Sequence, residues 1–351
     1  MKIAVYALAK NEAKHALAWA DSCADADVRI VTDTGSTDGT QGILTQLGVT
    51  VVTGYVCPWR WDDAHNLSMN HVPPDVDVCV RLDLDERLQP GWREAIEKAW
   101  APEVNNLRYK YVWSFKPDGS PGLVFMSDRV HARQGFRWTA ATHEGLVCWT
   151  GEKRQRVAEG LVIHHHRDQG KKHVTDLRLL EVACREAPHD ARTKWYYARE
   201  LDYAGKPEAA AEFAAYLRMP GGQVTERAYA MRRLYALTGE EVHLHRAAAE
   251  AENEPDAWER LALVRYHQKN WGECLAFAES AIACTEIGTH ATDPDAIGRA
   301  YDLASVAAWE LDKRPQALLY GEAAMERLPA DERIRANVAA MRQILAHSAA
   351  A

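Results

Sequence analysis

The chain has 351 residues, of which 47% are hydrophobic and 26% are charged, and its formal net charge is −8. This length predicts about two domains, and the composition excludes wholesale disorder. The negative balance argues against nucleic acid as the main partner, because proteins that bind phosphate backbones are usually basic.

The cysteines and the N-terminus bear on the cellular compartment. The seven cysteines contain no CxxC pair, which argues against a disulfide framework and against a cysteine zinc site. The short apolar run before Lys10 lacks the length of a signal peptide, and no run approaches the ~18 apolar residues of a membrane span. We therefore expect a cytoplasmic protein without a transmembrane segment.

The first half alternates strand and helix patterns. Apolar runs predict strands at 3–8, 28–31, 49–52 and 76–82, and helical patterns lie near 16–20, 41–47 and 92–100. This alternation predicts an α/β fold with a largely parallel sheet. Two β-rich runs at 107–115 and 123–131 flank a turn at 117–120, and a further strand is predicted at 160–166.

The second half, after about residue 172, is alanine-rich and helical. Gly205, Gly239, Asn270 and Lys313 each follow one helical segment and precede another, at spacings of 34, 31 and 43 residues. The first spacing equals the ~34-residue tetratricopeptide period, and the others are irregular. The pattern predicts a short, degenerate solenoid of helical hairpins, with an irregular helical bundle as the alternative.

An acidic run, Asp83-Leu84-Asp85-Glu86, ends the predicted strand at 76–82. Ligands of open α/β sheets bind beyond the carboxyl ends of the strands. Hard divalent cations take carboxylate oxygens there and leave their other positions to substrate phosphates. The run predicts a metal or nucleotide site, and a solvated acidic turn is the alternative.

A second polar run, residues 33–40 (DTGSTDGT), follows the second predicted strand. Its glycines permit a tight turn, and its hydroxyl residues can cap the next helix. The run is not a phosphate P-loop, because the GxxxxGK[ST] pattern is absent. Together with the acidic run downstream, it indicates a contact with a nucleotide base or ribose.

Three consecutive histidines, His164, His165 and His166, end the last predicted strand. Side chains alternate along a strand, so the outer two share a face and the middle one points the other way. Spacing alone therefore leaves open which of them binds a metal, and a surface histidine patch is the alternative.

Glu144 is the first candidate for a general base. In a tryptophan-rich pocket its pKa is expected to be raised, which would suit it to take a proton from an acceptor hydroxyl. Glu86 and Asp128 are the reserve candidates. The alternative is a structural acid paired with Arg137 or Arg133.

Four tryptophans of the first half, Trp59, Trp61, Trp113 and Trp138, are either stacking surfaces for a sugar or base, or ordinary core side chains.

In their order along the chain, these motifs resemble the GT-A family of nucleotide-sugar glycosyltransferases, of the family 2 kind. The resemblance covers about 170 residues, and the helical half resembles the tetratricopeptide tail of some members. It implies a GT-A (Rossmann-like) α/β domain over 1–172 and an all-α tetratricopeptide-like domain over 173–351. The matching segments are 10–12, 33–40, 58–66, 83–85, 143–144 and 160–168.

The resemblance implies roles for the residues that contact the donor. Asp33 would contact the nucleotide base together with Lys10, Asn11 and Glu12, and Asp62 would hold the base or ribose.

The segment 58–66 also contains a departure from the family pattern. Members often have Arg-Asn where this chain has His65-Asn66, which leaves a phosphate contact from position 65 in doubt. Asn66 remains a further candidate donor contact.

The resemblance also implies a metal site. Asp83 would bind ribose or metal, Asp85 would bind the ion directly, and His165 would join them through a His-x-x-Asp pattern that ends at Asp168. A histidine beside two aspartates suits Mn²⁺ better than Mg²⁺, because magnesium prefers oxygen ligands.

The resulting hypothesis is a metal-dependent, inverting glycosyltransferase. It would move a sugar from a nucleoside-diphosphate sugar, with UDP favoured, to a hydroxyl of a glycan or peptide. The helical half would bind the acceptor or a protein partner, or mediate self-association. The alternatives are a metal-dependent nucleotidyltransferase or phosphohydrolase, and a non-catalytic scaffold with a relic nucleotide-binding domain.

Overall fold

The structure is a computed structural model that describes residues 1–116, 118–167, 177–285 and 293–350, with side chains to 347. The chain forms two compact units, Met1–Glu186 and Ala187–Ala351. The predicted boundary between residues 172 and 173 lies outside the described residues. Among the described helices, none has the length and apolar character needed to cross a bilayer.

The first unit is a mixed α/β structure built on an eight-stranded sheet and a two-stranded ribbon. Its strands are β1 (Ile3–Ala9), β2 (Val28–Asp33), β3 (Thr50–Thr53), β4 (Val78–Arg81), β5 (Glu86–Leu88), β6 (Asn106–Val112), β7 (Val124–Ala132), β8 (Phe136–Thr139), β9 (Gly145–Cys148) and β10 (Gln155–His165). Its helices are α1 (Ala13–Ser22), α2 (Thr40–Gln46), α3 (Trp61–Asn70), α4 (Trp92–Ala99) and α5 (Leu177–Glu186).

The large sheet has the strand order β3-β2-β1-β4-β7-β6-β10-β5. The first four strands are parallel, as predicted. Beyond β4 the sheet is mixed: β7 is antiparallel to both of its neighbours, and β5 is antiparallel to β10. The prediction of a largely parallel sheet is therefore wrong for this half, because β6 and β7 are joined by a tight turn rather than by a crossover helix.

Helices cover both faces of the parallel strands. Alternate residues of β1 point to opposite sides, as the strand repeat requires. Ile3 and Val5 join the core that includes Trp19 of α1 and Ile96 of α4, whereas Tyr6 packs with Met69 of α3 on the other face. Because these strands run in the same direction, their carboxyl ends lie at one common edge of the sheet.

A buried polar chain links β1, β7 and β8 beneath α3. The Trp138 indole donates to the Tyr6 hydroxyl over 2.9 Å. That hydroxyl lies 3.0 Å from Nε2 of His131, whose Nδ1 lies 2.8 Å from the carbonyl oxygen of Ala132. The imidazole is therefore neutral, with its proton on Nδ1 and with Nε2 accepting from Tyr6.

The neutral state of His131 makes the stability of the first unit depend on pH. Burial lowers its pKa from 6.5 to about 4. Between those values the unfolded chain binds the proton and the folded chain does not, so stability falls as the pH falls.

We expect the free energy of unfolding to fall by about 2 kcal/mol between pH 6.5 and pH 5 through this residue. In calorimetry over this range, the melting temperature of His131→Gln should fall less steeply than that of the wild type. Equal slopes would contradict the assignment.

The second unit consists of helices in the described residues. They are α6 (Ala191–Tyr203), α7 (Ala209–Arg218), α8 (Val224–Thr238), α9 (Val242–Glu250), α10 (Pro255–His267), α11 (Trp271–Ala283), α12 (Ala296–Glu310), α13 (Arg314–Arg327) and α14 (Glu332–Ala350). Each of the four predicted turning points, at Gly205, Gly239, Asn270 and Lys313, lies between two of these helices.

Small residues allow the later helices to pack closely. A Cβ at Gly321 of α13 would lie 2.9 Å from a Val338 methyl carbon and 3.0 Å from the Ser305 hydroxyl oxygen, and the Ser305 hydroxyl donates to the carbonyl oxygen of Ala317. The small residues at this contact therefore form a packing surface between helices.

Candidate active site

Three loops meet at the carboxyl edge of the parallel strands. They follow β1, β2 and β4, and they carry residues 10–12, 33–40 and 83–85. Because these strands are parallel neighbours in the order β2-β1-β4, the loops are adjacent in space although they are far apart in sequence. This edge is where open α/β sheets bind ligands.

Asp33, the last residue of β2, is fully buried and organises the loop that follows it. Its Oδ1 accepts hydrogen bonds from the backbone N–H groups of Gly35 and Ser36 and from the Gln41 amide. Burial raises its pKa, but these hydrogen bonds outweigh burial and hold the pKa below its ordinary value. Its Oδ2 is also buried, and a hydrogen bond from the Ser36 hydroxyl is among the contacts that lower the pKa.

The loop after β1 is joined to the same turn. Asn11 adopts a left-handed conformation with φ 59°, its backbone N–H donates to the Ser36 hydroxyl, and its side-chain oxygen accepts from the N–H of Thr37. The Glu12 N–H donates to the Thr40 hydroxyl, and Lys10 is exposed. The predicted nucleotide contacts at 10–12 and 33 thus lie in one hydrogen-bonded unit.

Asp83 lies between two arginines. Arg81 Nη2 is 2.9 Å from its Oδ1, and Arg129 Nη1 is 3.4 Å from its Oδ2. The backbone N–H of Asp83 donates to Glu86, which is 1% exposed and also accepts from Tyr111 and Arg129. Both carboxylate oxygens of Glu86 therefore accept hydrogen bonds from within the protein. This arrangement stabilises the turn and counts against Glu86 as a reserve base.

Asp85 lies beside His165. Nε2 of His165 is 3.3 Å from Oδ2 of Asp85, and its Nδ1 is 3.2 Å from the carbonyl oxygen of Trp113. Burial lowers the pKa of His165, but Asp85 raises it more, so the net shift is upward. The strand alternation sends His164 and His166 to the other side, where their rings contact Phe115. This placement supports the choice of His165.

The donors at Asp85 and His165 fit a divalent cation in part. In the described residues, no three histidine, cysteine or acidic side chains already converge in a metal-binding arrangement, and Asp168 lies outside those residues. Ions such as Mg²⁺ commonly use one or two carboxylates and take substrate phosphates and water in their remaining positions. Two adjacent protein ligands at an open strand end match that pattern, and the imidazole favours Mn²⁺.

Glu144 follows His143, which has a positive φ of 52°, and it points into a charged, mostly buried cluster. Its Oε1 lies 3.2 Å from Nε2 of His65 and 3.6 Å from Nη2 of Arg81. The two nitrogens are 2.9 Å apart, so His65 Nε2 either donates to the carboxylate or accepts from the guanidinium.

The predicted rise in the pKa of Glu144 is wrong. Burial does raise its pKa, but His65 and Arg81 lower it more, to about 2. The carboxylate is therefore ionised at neutral pH and can accept a proton, but its lowered pKa makes it a weaker base than an ordinary glutamate. Neither of the predicted partners is used: His65 and Arg81 replace them, and Arg133 donates instead to the carbonyl oxygen of Val72.

Two further candidates are held by neighbouring groups. Both carboxylate oxygens of Asp62 accept from Arg60, which also binds Glu186 of α5. The side-chain amide of Asn66 exchanges two hydrogen bonds with the backbone of Trp138 and so ties α3 to β8. Through these contacts both residues stabilise the fold. Their contact with a nucleotide-sugar donor remains a prediction. The reserve base Asp128 lies on β7 and pairs with Lys153.

Sequence reasoning missed Arg81. Arg81 ends β4 in a run where every neighbour is apolar, and it is 7% exposed. A charged residue in such a run is the one available signal, because buried charges require partners. It joins Asp83 to the cluster around Glu144 and thereby connects the candidate metal side to the candidate base.

Comparisons with known proteins give remote structural likenesses. No known family profile and no curated protein matches the chain. A crystal structure of MamA is similar at 19% identity, over 44% of this chain and 87% of that one, with a TM-score of 0.35. The tetratricopeptide protein TTC0263 of Thermus thermophilus is similar at 16% identity, over 48% and 89%, with a TM-score of 0.31.

A third likeness is to glucosyl-3-phosphoglycerate synthase from Mycobacterium tuberculosis, solved with Mn²⁺, UDP and glucosyl-3-phosphoglycerate. The identity is 23% over 31% of this chain and 44% of that one, with a TM-score of 0.28. The structural neighbours thus include a tetratricopeptide protein and glucosyl-3-phosphoglycerate synthase, and none of these likenesses assigns a family to this chain.

Proposed function

We propose that the chain is a metal-dependent glycosyltransferase that uses a nucleoside-diphosphate sugar, with UDP favoured, and transfers the sugar with inversion. The observation that carries this proposal is the convergence of three groups at one sheet edge. They are the turn held by Asp33, the Asp85–His165 pair, and the Glu144 cluster. Residues 1–172 would form the catalytic domain, and residues 173–351 a helical repeat domain for an acceptor or partner.

Each group has a part in the reaction. The loops at 10–12 and 33–40 would hold the nucleotide, with Asp33 and its turn on the side of the base. Asp85 and His165, with Asp83, would hold a divalent cation, which would neutralise charge on the departing diphosphate. Arg81 and Arg129 would keep Asp83 in place.

Glu144 would act as the general base. The acceptor oxygen attacks the anomeric carbon while the bond from that carbon to the diphosphate oxygen breaks. The hydroxyl proton passes to a Glu144 oxygen, which must lie within about 2.6–3.2 Å of the acceptor oxygen. His65 and Arg81 hold the carboxylate in place and ionised for this step, although they also lower its basicity.

A donor panel tests the proposal. UDP-glucose, UDP-galactose, UDP-N-acetylglucosamine and GDP-mannose are incubated with the protein and Mn²⁺, and the released nucleoside diphosphate is measured by mass. We expect slow hydrolysis of one donor that depends on Mn²⁺. Pyrophosphate release from a nucleoside triphosphate and a sugar phosphate, without turnover of any nucleotide sugar, would instead favour a nucleotidyltransferase.

A further inference from the structure

The four tryptophans that are candidates for stacking differ in their exposure and in their packing. Trp138 is 3% exposed and donates its N–H to Tyr6, so it belongs to the core. Trp59 packs against Ala141 and Leu179 in a small apolar cluster. Trp61 and Trp113 are 39% and 41% exposed and lie at the candidate site.

Each exposed indole is stacked on a histidine of the site. Trp113 lies on His165, with ring centroids 4.5 Å apart, and so stands on the side of the candidate cation ligands. Trp61 lies on His65, with centroids 6.1 Å apart and an interplanar angle of 26°. Since His65 contacts Glu144, Trp61 stands on the side of the candidate base.

The Trp61 ring is held in place before any ligand binds. Trp61 is the first residue of α3, and its backbone N–H donates to the carbonyl oxygen of Ala141 over 3.0 Å. The edge of the Trp59 ring packs against it, with centroids 5.2 Å apart at 83°. A rigid aromatic surface that stays partly exposed provides contact area at little cost in conformational entropy.

We propose that Trp61 is the stacking platform for the acceptor, and that the acceptor is a pyranose of a glycan. This inference rests on the proposed function. An acceptor must place one hydroxyl at Glu144, and Trp61 is the exposed ring one side chain away from that carboxylate. A pyranose has hydroxyls at its rim and an apolar C–H face that matches a flat indole. A peptide would instead bring backbone N–H and C=O groups, which the indole face cannot satisfy.

An acceptor panel tests the inference. Methyl glycosides of glucose, galactose, mannose and N-acetylglucosamine are compared with N-acetylserinamide and glycerol, using the donor found in the hydrolysis assay. We expect at least one methyl pyranoside to have a kcat/KM at least tenfold above that of the serine amide and glycerol. Trp61→Leu should raise the pyranoside KM about tenfold, and Trp61→Phe should raise it less.

The control is Trp149→Leu, since Trp149 is 63% exposed on a different loop, outside the site. This variant should keep the wild-type pyranoside KM. The inference is overturned if Trp61→Leu leaves the pyranoside KM within twofold, or if the serine amide or glycerol is used as well as the pyranosides.

A binding measurement separates this inference from the proposed function. Saturation-transfer NMR of the same methyl glycosides, with UDP and Mn²⁺ present, should show transfer to their C–H protons that is lost in Trp61→Leu and kept in Trp149→Leu. Donor hydrolysis without this signal would overturn the acceptor inference and leave the transferase proposal standing. The signal without any donor hydrolysis would support the sugar site and remove the transferase proposal.

Discussion

Replacing Asp85 with asparagine is expected to reduce Mn²⁺-dependent turnover of the donor by a factor of about 10³ or more. Asp85 is the acid whose carboxylate lies beside His165, 3.3 Å from Nε2. Asparagine keeps the size of the side chain but removes the negative charge, and charge stabilisation by a bound cation is worth several kcal/mol in such a transfer. The rate is measured as release of nucleoside diphosphate over a range of Mn²⁺ concentrations.

The matched control for this variant is Asp118→Asn. Asp118 is an exposed acid of the turn between β6 and β7, where it accepts from Ser120, and its loss should leave turnover unchanged. Raised Mn²⁺ should not rescue Asp85→Asn fully, because the proposed carboxylate ligand is missing. Full activity of Asp85→Asn at ordinary Mn²⁺ concentrations would show that the cation is not held here.

The second large effect is expected for Glu144→Gln, which should lower kcat for transfer by a factor of about 10² to 10⁴. Glutamine can still accept a hydrogen bond from His65 but cannot take the acceptor proton. Donor binding should be kept, because the proposed nucleotide contacts lie on the loops after β1 and β2. The test combines the transfer rate with the Kd for UDP measured by calorimetry.

The structure also predicts how the loss of kcat in Glu144→Gln depends on pH. The pKa of Glu144 is lowered to about 2, so the wild-type carboxylate is ionised at both pH 6 and pH 8. The ratio of wild-type to variant kcat should therefore be equal at the two pH values. Asp128→Asn, which alters a reserve candidate paired with Lys153, should retain transfer. A large loss in Asp128→Asn with little loss in Glu144→Gln would move the base to Asp128.

The sequence predicted the parts of the site that depend on local pattern. Apolar runs ending in polar turns located β1, β2 and β4, and parallel strands necessarily bring the loops at 10–12, 33–40 and 83–85 to one edge. The helical turning points in the second unit were likewise readable from Gly205 and Gly239, which both adopt a positive φ.

What the sequence could not show depends on contacts between distant segments. Strand alternation sets His165 apart from its neighbours, but only the pairing of β10 with β5 brings it to Asp85. The pKa of Glu144 was predicted in the wrong direction, because its environment is set by Arg81 and His65, which are 63 and 79 residues away. A tryptophan-rich composition carries no information about those two partners.

The helix at 61–70 and the mixed half of the sheet were missed for different reasons. The short α3 begins at Trp61, and its apolar pattern is interrupted by polar residues, so its helical period is weak. Strand β5 has three residues, too few to show a repeat. The direction of β7 relative to β6 follows from the turn that the sequence predicts at 117–120, but the apolar pattern does not show that β7 pairs with β4.

The most direct test of the account is the position of the cation. Crystals grown with MnCl₂ and UDP, with diffraction recorded at the manganese absorption edge, should give an anomalous peak that contacts a carboxylate oxygen of Asp85, Nε2 of His165 and the UDP diphosphate. A peak elsewhere, or UDP bound away from the loops at 10–12 and 33–40, would contradict the account.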